Sequence, residues 1–507
     1  MAVLLYIAAG GVLIQFYRYQ INPDGISYIS VAQKYLNGDF KNAVNGHFSP
    51  LFSWLLVPFL FFGTDPLLSA KLLNLGIGAV TLGVFHRLCC MYSMRHEIRS
   101  TLLFTAAPVL LYFAFDQITP DLLVACVLLF YFQVIFDPNY AESRKYGLFS
   151  GIFGGIAFLA KSFSFAFFLC HFPLMSMLHY NSNTAVIKKK GVLHNFAAGM
   201  LIFIFVSGLW IAAITEKFGY LTISNASTHN LNLIGQIRTH HTHFVPPPNE
   251  TAISIWEDPS FVLPPVTWNP FESANTFKHW MRFFLKNIHS TIKICMGFSG
   301  LAVFLCGGYL LLQLLQPKQL LRQHELVYPL LASLLHATGY CLIIVEERYL
   351  WIICLLLILM CGYILERIFQ HAFLTGWKRT VFLILLVLSF ATAPLSNLGR
   401  DFNTGKELHL LGSALKQHVV PYRRLATSGS WYRSLFLAFY LQTPIYGTGE
   451  KRMPEELFED LEKHSIDYYL TWGEPTDIRP PPSRYRETGR ATCGHKTVTL
   501  FERMGRR

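Results

Sequence analysis

The stretch AVLLYIAAGGVLIQFYRYQINPDGISY, residues 2–28, joins a long apolar segment directly to an acidic residue, Asp24. The apolar part has about the length that crosses the hydrocarbon core of a bilayer. A carboxylate just beyond such a segment lies at the membrane surface, where an ionised group is costly and is usually kept for a function. The stretch therefore predicts a membrane span followed by a functional acid.

The rest of the chain repeats the apolar pattern. Of 507 residues, 52% are hydrophobic and only 14% are charged, a balance that soluble globular proteins do not need. We therefore predict a mainly α-helical, polytopic membrane bundle of about 11 spans. The predicted spans are residues 2–18, 66–86, 100–115, 119–136, 147–160, 162–180, 195–215, 292–315, 327–344, 349–370 and 378–396.

The basic residues between these segments indicate an orientation. Short cytoplasmic loops are enriched in Lys and Arg. If the basic clusters of this chain are placed in the cytoplasm, the N-terminus is cytoplasmic. The Phe-rich spans favour a bacterial inner (plasma) membrane. The net charge of +12 then follows from this rule and gives no indication of nucleic-acid binding. The clusters are residues 87–99, 144–145, 188–190, 318–322 and 367–379.

This orientation places three long segments outside: a first external loop at 19–65, a large external loop at 216–290, and residues 398–507. The apolar stretch 49–62 is short and contains two prolines, so we expect it to lie along the outer interface without crossing. Residues 1–397 then form the transmembrane domain.

Residues 398–507 alternate between strand-like and helix-like stretches, which predicts a small extracytoplasmic α/β domain with a partly parallel sheet. The strand-like stretches are 424–427, 444–446, 467–470 and 497–500, and the helix-like stretches are 405–418, 430–441 and 453–464.

The predicted topology also brings acids and fixed cations from distant parts of the chain to one outer boundary. Taken singly, each has a structural explanation, such as helix capping by Asp121 or a local ion pair of Arg348 with Glu346. Together they are typical of a site that binds an anionic, membrane-embedded ligand such as a lipid phosphate and that also needs a base. The group consists of Asp24, Lys41, His47, Asp116, Asp121, Lys161, Glu346, Glu347 and Arg348.

The order of four short motifs resembles the GT-C membrane glycosyltransferases of the protein O-mannosyltransferase and lipid A aminoarabinose transferase type, including the rhizobial lipopolysaccharide transferase group. The first external loop opens with an acid followed by Tyr28, and a second motif there contains a histidine, a proline and a tryptophan. The resemblance covers about residues 1–370. The four motifs are DGISY at 24–28, HFSPLFSW at 47–54 with Phe62-Gly63, DQITPD at 116–121, and ERYL at 347–350.

The resemblance implies an inverting transfer of a sugar from a polyprenyl-phosphate donor to an extracytoplasmic acceptor hydroxyl on a lipid, glycan or protein. It assigns the general base to Asp24. Arg348 and Lys161 are the candidates for binding the donor phosphate, with Lys41 or His47 as further donors. The supporting residues are Tyr28, Asp116, Asp121, Glu346, Glu347 and Tyr349.

One departure from the family bears on cofactors. Gly25 stands where many relatives carry a second acid. We therefore expect no cofactor and favour a reaction without a metal, with a divalent metal as the alternative.

The large external loop is the predicted acceptor platform, with His241, Trp256 and Glu257 as candidate contacts. An alternative for Trp256 is simple packing on the membrane domain. Two other functions stay open at this point. A polysaccharide ligase or polymerase would place its key residues in this loop, His241 among them, whereas a secondary transporter would carry ionisable residues near mid-span and inverted repeats.

Overall fold

The computed structural model describes residues 1–182, 185–235, 243–261, 268–315, 323–370, 376–427, 429–447, 453–474 and 477–505. Within these ranges the chain forms a helical bundle followed by a small sheet. The helices are α1 (Ala2–Tyr17), α2 (Pro23–Leu36), α3 (Phe40–Ala43), α4 (Leu51–Phe61), α5 (Pro66–Cys90), α6 (His96–Asp116), α7 (Asp121–Ile135), α8 (Lys145–Ala160), α9 (Phe163–Ser182), α10 (Val186–Phe218), α11 (Ala226–Ile234), α12 (Ala274–Leu314), α13 (His324–Cys341), α14 (Trp351–Ile368), α15 (Trp377–Arg400), α16 (Lys406–Leu415), α17 (Trp431–Leu441) and α18 (Pro454–Lys463).

The prediction of a mainly α-helical membrane bundle is confirmed. Each of the eleven predicted spans is occupied by a helix, and in the described part of the chain seven helices are long and apolar enough to cross a membrane. These are α5, α6, α9, α10, α12, α14 with its preceding turn, and α15. Helix α4 has 11 residues, a length of about 16 Å, which is too short to span a bilayer core.

Helix α12 differs from the prediction for the large external loop. It begins at Ala274, so the last part of the predicted 216–290 loop is helical. A capping box at Ser273 starts the helix, because the side chains of Ser273 and Thr276 each bond the other's backbone. The helix is interrupted at Ser299, whose φ and ψ of −168° and 107° are extended.

Glycines bring α8 and α10 into close contact. A Cβ added at Gly147 would lie 2.4 Å from the backbone oxygen of Asn195, and one at Gly151 would lie 2.3 Å from that of Gly199. The four-residue spacing places both glycines on one face of α8, a common arrangement where membrane helices pack backbone to backbone. This contact holds α8, whose C-terminal end leads directly into Lys161.

The C-terminal sheet is mixed, as predicted. Its strand order is β2-β1-β3-β5-β4, with β1 parallel to β2 and β3, and with β5 antiparallel to β3 and β4. The sequence did not predict β4. The strands are β1 (Leu425–Thr427), β2 (Ile445–Tyr446), β3 (Tyr468–Thr471), β4 (Tyr485–Cys493) and β5 (Lys496–Arg503).

The loop before α12 is attached to the edge of this sheet. The amide of Ile445 on β2 donates to the carbonyl of Ile253 at 2.8 Å, and Val245 pairs with Gly447 as an isolated antiparallel bridge. From this attachment the chain continues into a short 3₁₀ turn, Ile255–Glu257, which packs on α2. The sheet edge and the start of α2 are thereby linked through one loop.

Candidate active site

The first turn of α2 is fixed against the chain between α6 and α7. Pro23 occupies the first helical position, where its missing N–H costs nothing. The Asn22 side chain accepts a 2.9 Å hydrogen bond from the amide of Ile118. A Cβ at Gly25 would lie 2.8 Å from Cβ of Ile118, so there is no room for a second acid beside Asp24.

Asp24 holds two hydrogen-bond donors from distant parts of the chain. Arg348 Nη1 donates to Asp24 Oδ2 at 2.6 Å, and Trp256 Nε1 donates to Asp24 Oδ1 at 2.8 Å. Burial raises the pKa of the Asp24 carboxyl, but the charge of Arg348 and these two hydrogen bonds outweigh it, so the pKa lies below its usual range. Asp24 is therefore ionised, and each of its two carboxylate oxygens already accepts a hydrogen bond.

Arg348 connects three carboxylates. Besides Asp24, its Nε lies 2.7 Å from Glu346 Oε2 and 3.9 Å from Asp121 Oδ2. The guanidinium is 12% exposed, and Glu346 is the most exposed of its partners at 45%. The planar guanidinium can bind a second anion in a bidentate arrangement if one of these carboxylates is released.

Lys161 is the second cation of the site. It forms an ion pair with Asp121, the first residue of α7, and its Nζ lies 3.7 Å from the centre of the Tyr349 ring. Tyr349 is itself stacked on Tyr340 with ring centres 4.6 Å apart. The structure thus brings six of the candidate site residues together: Asp24, Asp121, Lys161, Glu346, Arg348 and Tyr349.

His47 lies beside Trp256 at the edge of this group. Its ring centre is 5.3 Å from that of His229 on α11 and 6.4 Å from that of Trp256. Burial lowers the pKa of His47 to about 3, with a further contribution from His229. His47 is neutral at physiological pH, so it can donate an N–H to a ligand but adds no positive charge.

The turn that carries Trp256 is fixed by a buried ion pair. Glu257 pairs with Lys34 of α2, with only 2% and 3% of the two side chains exposed, and Ser30 donates to Glu257 Oε2 at 2.6 Å. Asn45 donates to the Glu257 carbonyl at 2.7 Å. Lys34 was not among the predicted residues, because a lysine in an external loop resembles an ordinary surface charge.

Several predicted residues have other positions or environments than expected. The Glu257 side chain is buried against Lys34, and Lys41 is exposed on α3; both residues line a cavity of about 620 Å³ that does not include Asp24. Tyr28 is buried against Phe48 and Phe52, where it holds α2 in place.

Two further predicted residues, Asp116 and Glu347, lie outside the group of side chains bonded to Asp24. Asp116 and Glu347 face each other across the end of α6 and are not among the hydrogen-bond partners of Asp24 or Arg348 in the described structure. Glu347 lines a cavity of about 440 Å³ between α6, α12 and α15. His241 lies outside the described residues, and among those described no three His, Cys, Asp or Glu side chains are grouped to hold a metal ion.

This chain resembles known proteins in its structure. No family model matches the sequence, and no curated protein matches it significantly. The crystal structure of ArnT from Cupriavidus metallidurans bound to undecaprenyl phosphate superposes with a TM-score of 0.59 at 14% identity, covering 98% of this chain and 97% of ArnT. The chain has the GT-C fold.

A second GT-C protein shows the same likeness over most of the chain. The apo oligosaccharyltransferase from Archaeoglobus fulgidus superposes with a TM-score of 0.54 at 10% identity, covering 93% of this chain and 69% of that protein. Its complex with an inhibitory peptide and a dolichol-phosphate gives a TM-score of 0.51. The GT-C fold expected from the motifs of the sequence is therefore confirmed.

Proposed function

We propose that this protein is an inverting membrane glycosyltransferase that moves a sugar from a polyprenyl-phosphate donor to an acceptor hydroxyl, with Asp24 as general base. The observation that carries the proposal is the contact between Asp24 and Arg348, which places a base and a phosphate-binding group side by side. The undecaprenyl phosphate bound to ArnT and the dolichol-phosphate bound to the Archaeoglobus fulgidus oligosaccharyltransferase support the choice of donor.

The reaction needs one proton transfer and one exchange of bonds. The acceptor oxygen forms a bond to the anomeric carbon of the donor sugar, and the bond between that carbon and the phosphate oxygen breaks with its electron pair. The acceptor proton passes to the Asp24 carboxylate. Attack opposite the leaving phosphate inverts the configuration of the sugar.

Arg348 gives this reaction a dependence on the donor. In the free protein the guanidinium bonds Asp24 and lowers its basicity. The donor phosphodiester, which carries one negative charge as a carboxylate does, offers Arg348 a competing anion with two oxygens, and charge-assisted bidentate bonds of this kind are strong. As Arg348 turns toward the phosphate, Asp24 loses the main cause of its low pKa and becomes the stronger base that the transfer needs.

Lys161 and Arg348 then neutralise the charge that develops on the leaving phosphate. Both side chains are partly exposed, at 21% and 12%, so a ligand can reach them. With two fixed cations at the phosphate and Gly25 in place of a second acid, we propose that transfer proceeds without a metal. The active face is proposed to lie outside a bacterial inner membrane, with the N-terminus in the cytoplasm.

The proposal is tested by transfer of a labelled sugar from total polyprenyl-phosphate donors in membranes that carry the wild-type chain or Asp24→Asn. The amide keeps the shape of the carboxyl and removes the base, so we expect transfer to fall by at least about a hundredfold. A matched control is Asp137→Asn, which changes a carboxyl just beyond the opposite end of α7. Equal transfer by the wild type and Asp24→Asn would remove Asp24 from catalysis.

The same membranes separate the alternative functions. If His241→Ala abolishes transfer while Asp24→Asn does not, the chain acts as a polysaccharide ligase or polymerase centred on the large loop. If neither the wild type nor any variant transfers sugar from any of the donors, the glycosyltransferase proposal is wrong.

A further inference from the structure

A groove lies between the helical bundle and the α/β domain, on the other side of α2 from Asp24. It encloses about 360 Å³. Gln33, nine residues after Asp24, lines it, and nine residues are two and a half helical turns, or about 13 Å along the axis. The half turn places the two side chains on opposite sides of α2, so this groove is not where the sugar is transferred.

Three aromatic rings form a continuous surface in the groove. The His409 ring centre lies 4.7 Å from that of Tyr19 and 5.1 Å from that of Tyr440. The guanidinium of Arg18 lies 4.8 Å from the Tyr19 ring centre. The hydroxyl of Tyr440 donates to the Tyr19 carbonyl at 3.2 Å, which ties the two domains together beneath this surface.

Two other residues of the groove have an unfavourable backbone conformation. Tyr422 and Gln442 have φ values of 64° and 55°, and the amide of Tyr422 donates to the carbonyl of Gln442 at 2.9 Å. Both line the groove. The left-handed region favours Gly or Asn, so a large side chain kept there points to a use for the side chain itself.

Tyr422 and Gln442 are larger than the other non-glycine residues that have a positive φ. The other non-glycine residues with positive φ in the described structure are Asn403, Ser430 and Ser465, which are small and polar. Tyr422 is also 71% exposed, so packing in the protein core does not explain its aromatic ring.

We infer that this groove binds a glycan, namely a part of the acceptor remote from the hydroxyl that receives the sugar. Aromatic rings stack on the apolar faces of sugar rings, and flat polar side chains such as Gln33, Gln442 and Asp65 bond the hydroxyls around them. The assignment of the glycan to an acceptor rests on the proposed function, while the binding of a glycan rests on the groove alone.

The loop that carries Trp256 also passes this groove. Thr251 and Ile253 line it, and three residues later Trp256 bonds Asp24. A glycan bound against Tyr422 would therefore contact the same loop whose Trp256 bonds Asp24. This placement suits an acceptor that is held at two points, one in the groove and one at Asp24.

The test uses the purified full-length protein in detergent on a printed array of short oligosaccharides, with Tyr422→Gly as the main variant. Glycine adopts the φ of Tyr422 without strain, so this variant removes the ring and keeps the fold. We expect the wild type to bind at least one glycan, and the variant to bind it about tenfold more weakly. Its thermal midpoint should not fall.

Tyr432→Ala is the matched control, because Tyr432 is 65% exposed on α17 and lies outside the groove. It should bind as the wild type does. Binding of no oligosaccharide by the wild type, or equal binding by Tyr422→Gly, would overturn the inference.

Sugar transfer is measured on the same preparations. Sugar transfer without glycan binding would refute glycan binding in the groove and leave the proposed function intact. Glycan binding without transfer would retain the groove as a glycan site and refute the transferase.

Discussion

The buried ion pair between Lys34 and Glu257 gives the sharpest test of how Asp24 is positioned. Glu257→Leu keeps a similar side-chain volume and leaves the Lys34 ammonium buried without its partner. Because both side chains are at most 3% exposed, removing one partner is expected to cost about 3–5 kcal/mol. The loop can avoid this cost by detaching from α2, which would carry Trp256 away from Asp24.

The size of the effect follows from that energy. At about 1.4 kcal/mol per factor of ten, the equilibrium between the attached and detached loop shifts by about two to three and a half orders of magnitude. Hydrogen exchange at the amides of Glu257, Asp258 and Phe261, which are bonded within the loop, should accelerate accordingly. Sugar transfer should fall with it.

A double variant supplies the control. Replacing both partners, as Lys34→Met with Glu257→Leu, leaves no unpaired charge, and apolar replacements of buried ion pairs are often neutral or stabilising. Exchange should return close to that of the wild type. If Glu257→Leu leaves amide exchange in the loop unchanged, or if the double variant exchanges as fast as the single one, the ion pair does not hold the loop.

Three further predictions concern the same site. In the pH profile of kcat/KM, the fall in activity on the acidic side should lie below the usual Asp range, because the pKa of Asp24 is depressed in the free protein. In the profile of kcat it should lie at higher pH, because the bound donor draws Arg348 away from Asp24. If activity falls at the same pH in both profiles, Arg348 does not move from Asp24 to the donor. Arg348→Lys should lower kcat/KM about 10- to 100-fold in labelled-sugar transfer, since an ammonium lacks the planar pair of donors, and unchanged kinetics would exclude bidentate binding. Gly25→Ala should destabilise the protein by about 1–3 kcal/mol in thermal unfolding, because the added Cβ would meet Cβ of Ile118; an unaffected midpoint would show that α2 can shift.

The fold was largely predictable because long apolar segments and alternating strand and helix patterns are local signals. β4 escaped prediction for a physical reason. Its sequence, YRETGRATC at 485–493, lies at the edge of the sheet with several side chains exposed, so it has no apolar run to mark it. Helix α2 was also missed, although Asn22 and Pro23 together are a typical helix start.

The site was predictable only in part. Charges at the predicted membrane boundary selected Asp24, Asp121, Lys161 and Arg348, because topology alone brings them to one level. The contact of Trp256 with Asp24, 232 positions apart, depends on how a loop folds back over α2. No local sequence pattern predicts how this loop folds back. The ion pair of Lys34 with Glu257 depends on the same loop, so Lys34 was not predicted either.

The attachment of the loop to β2 has a consequence for the order of events in biosynthesis. Strand β5 follows β3 and β4 in the chain and is inserted between them, so the sheet that anchors the loop is complete only after β5 has been made. Until then the helices of the bundle can already occupy the membrane while Trp256 has no fixed support. Under the proposed function, a chain stopped after residue 397 should therefore insert normally yet transfer little sugar, because the loop that carries Trp256 then has no sheet to hold it.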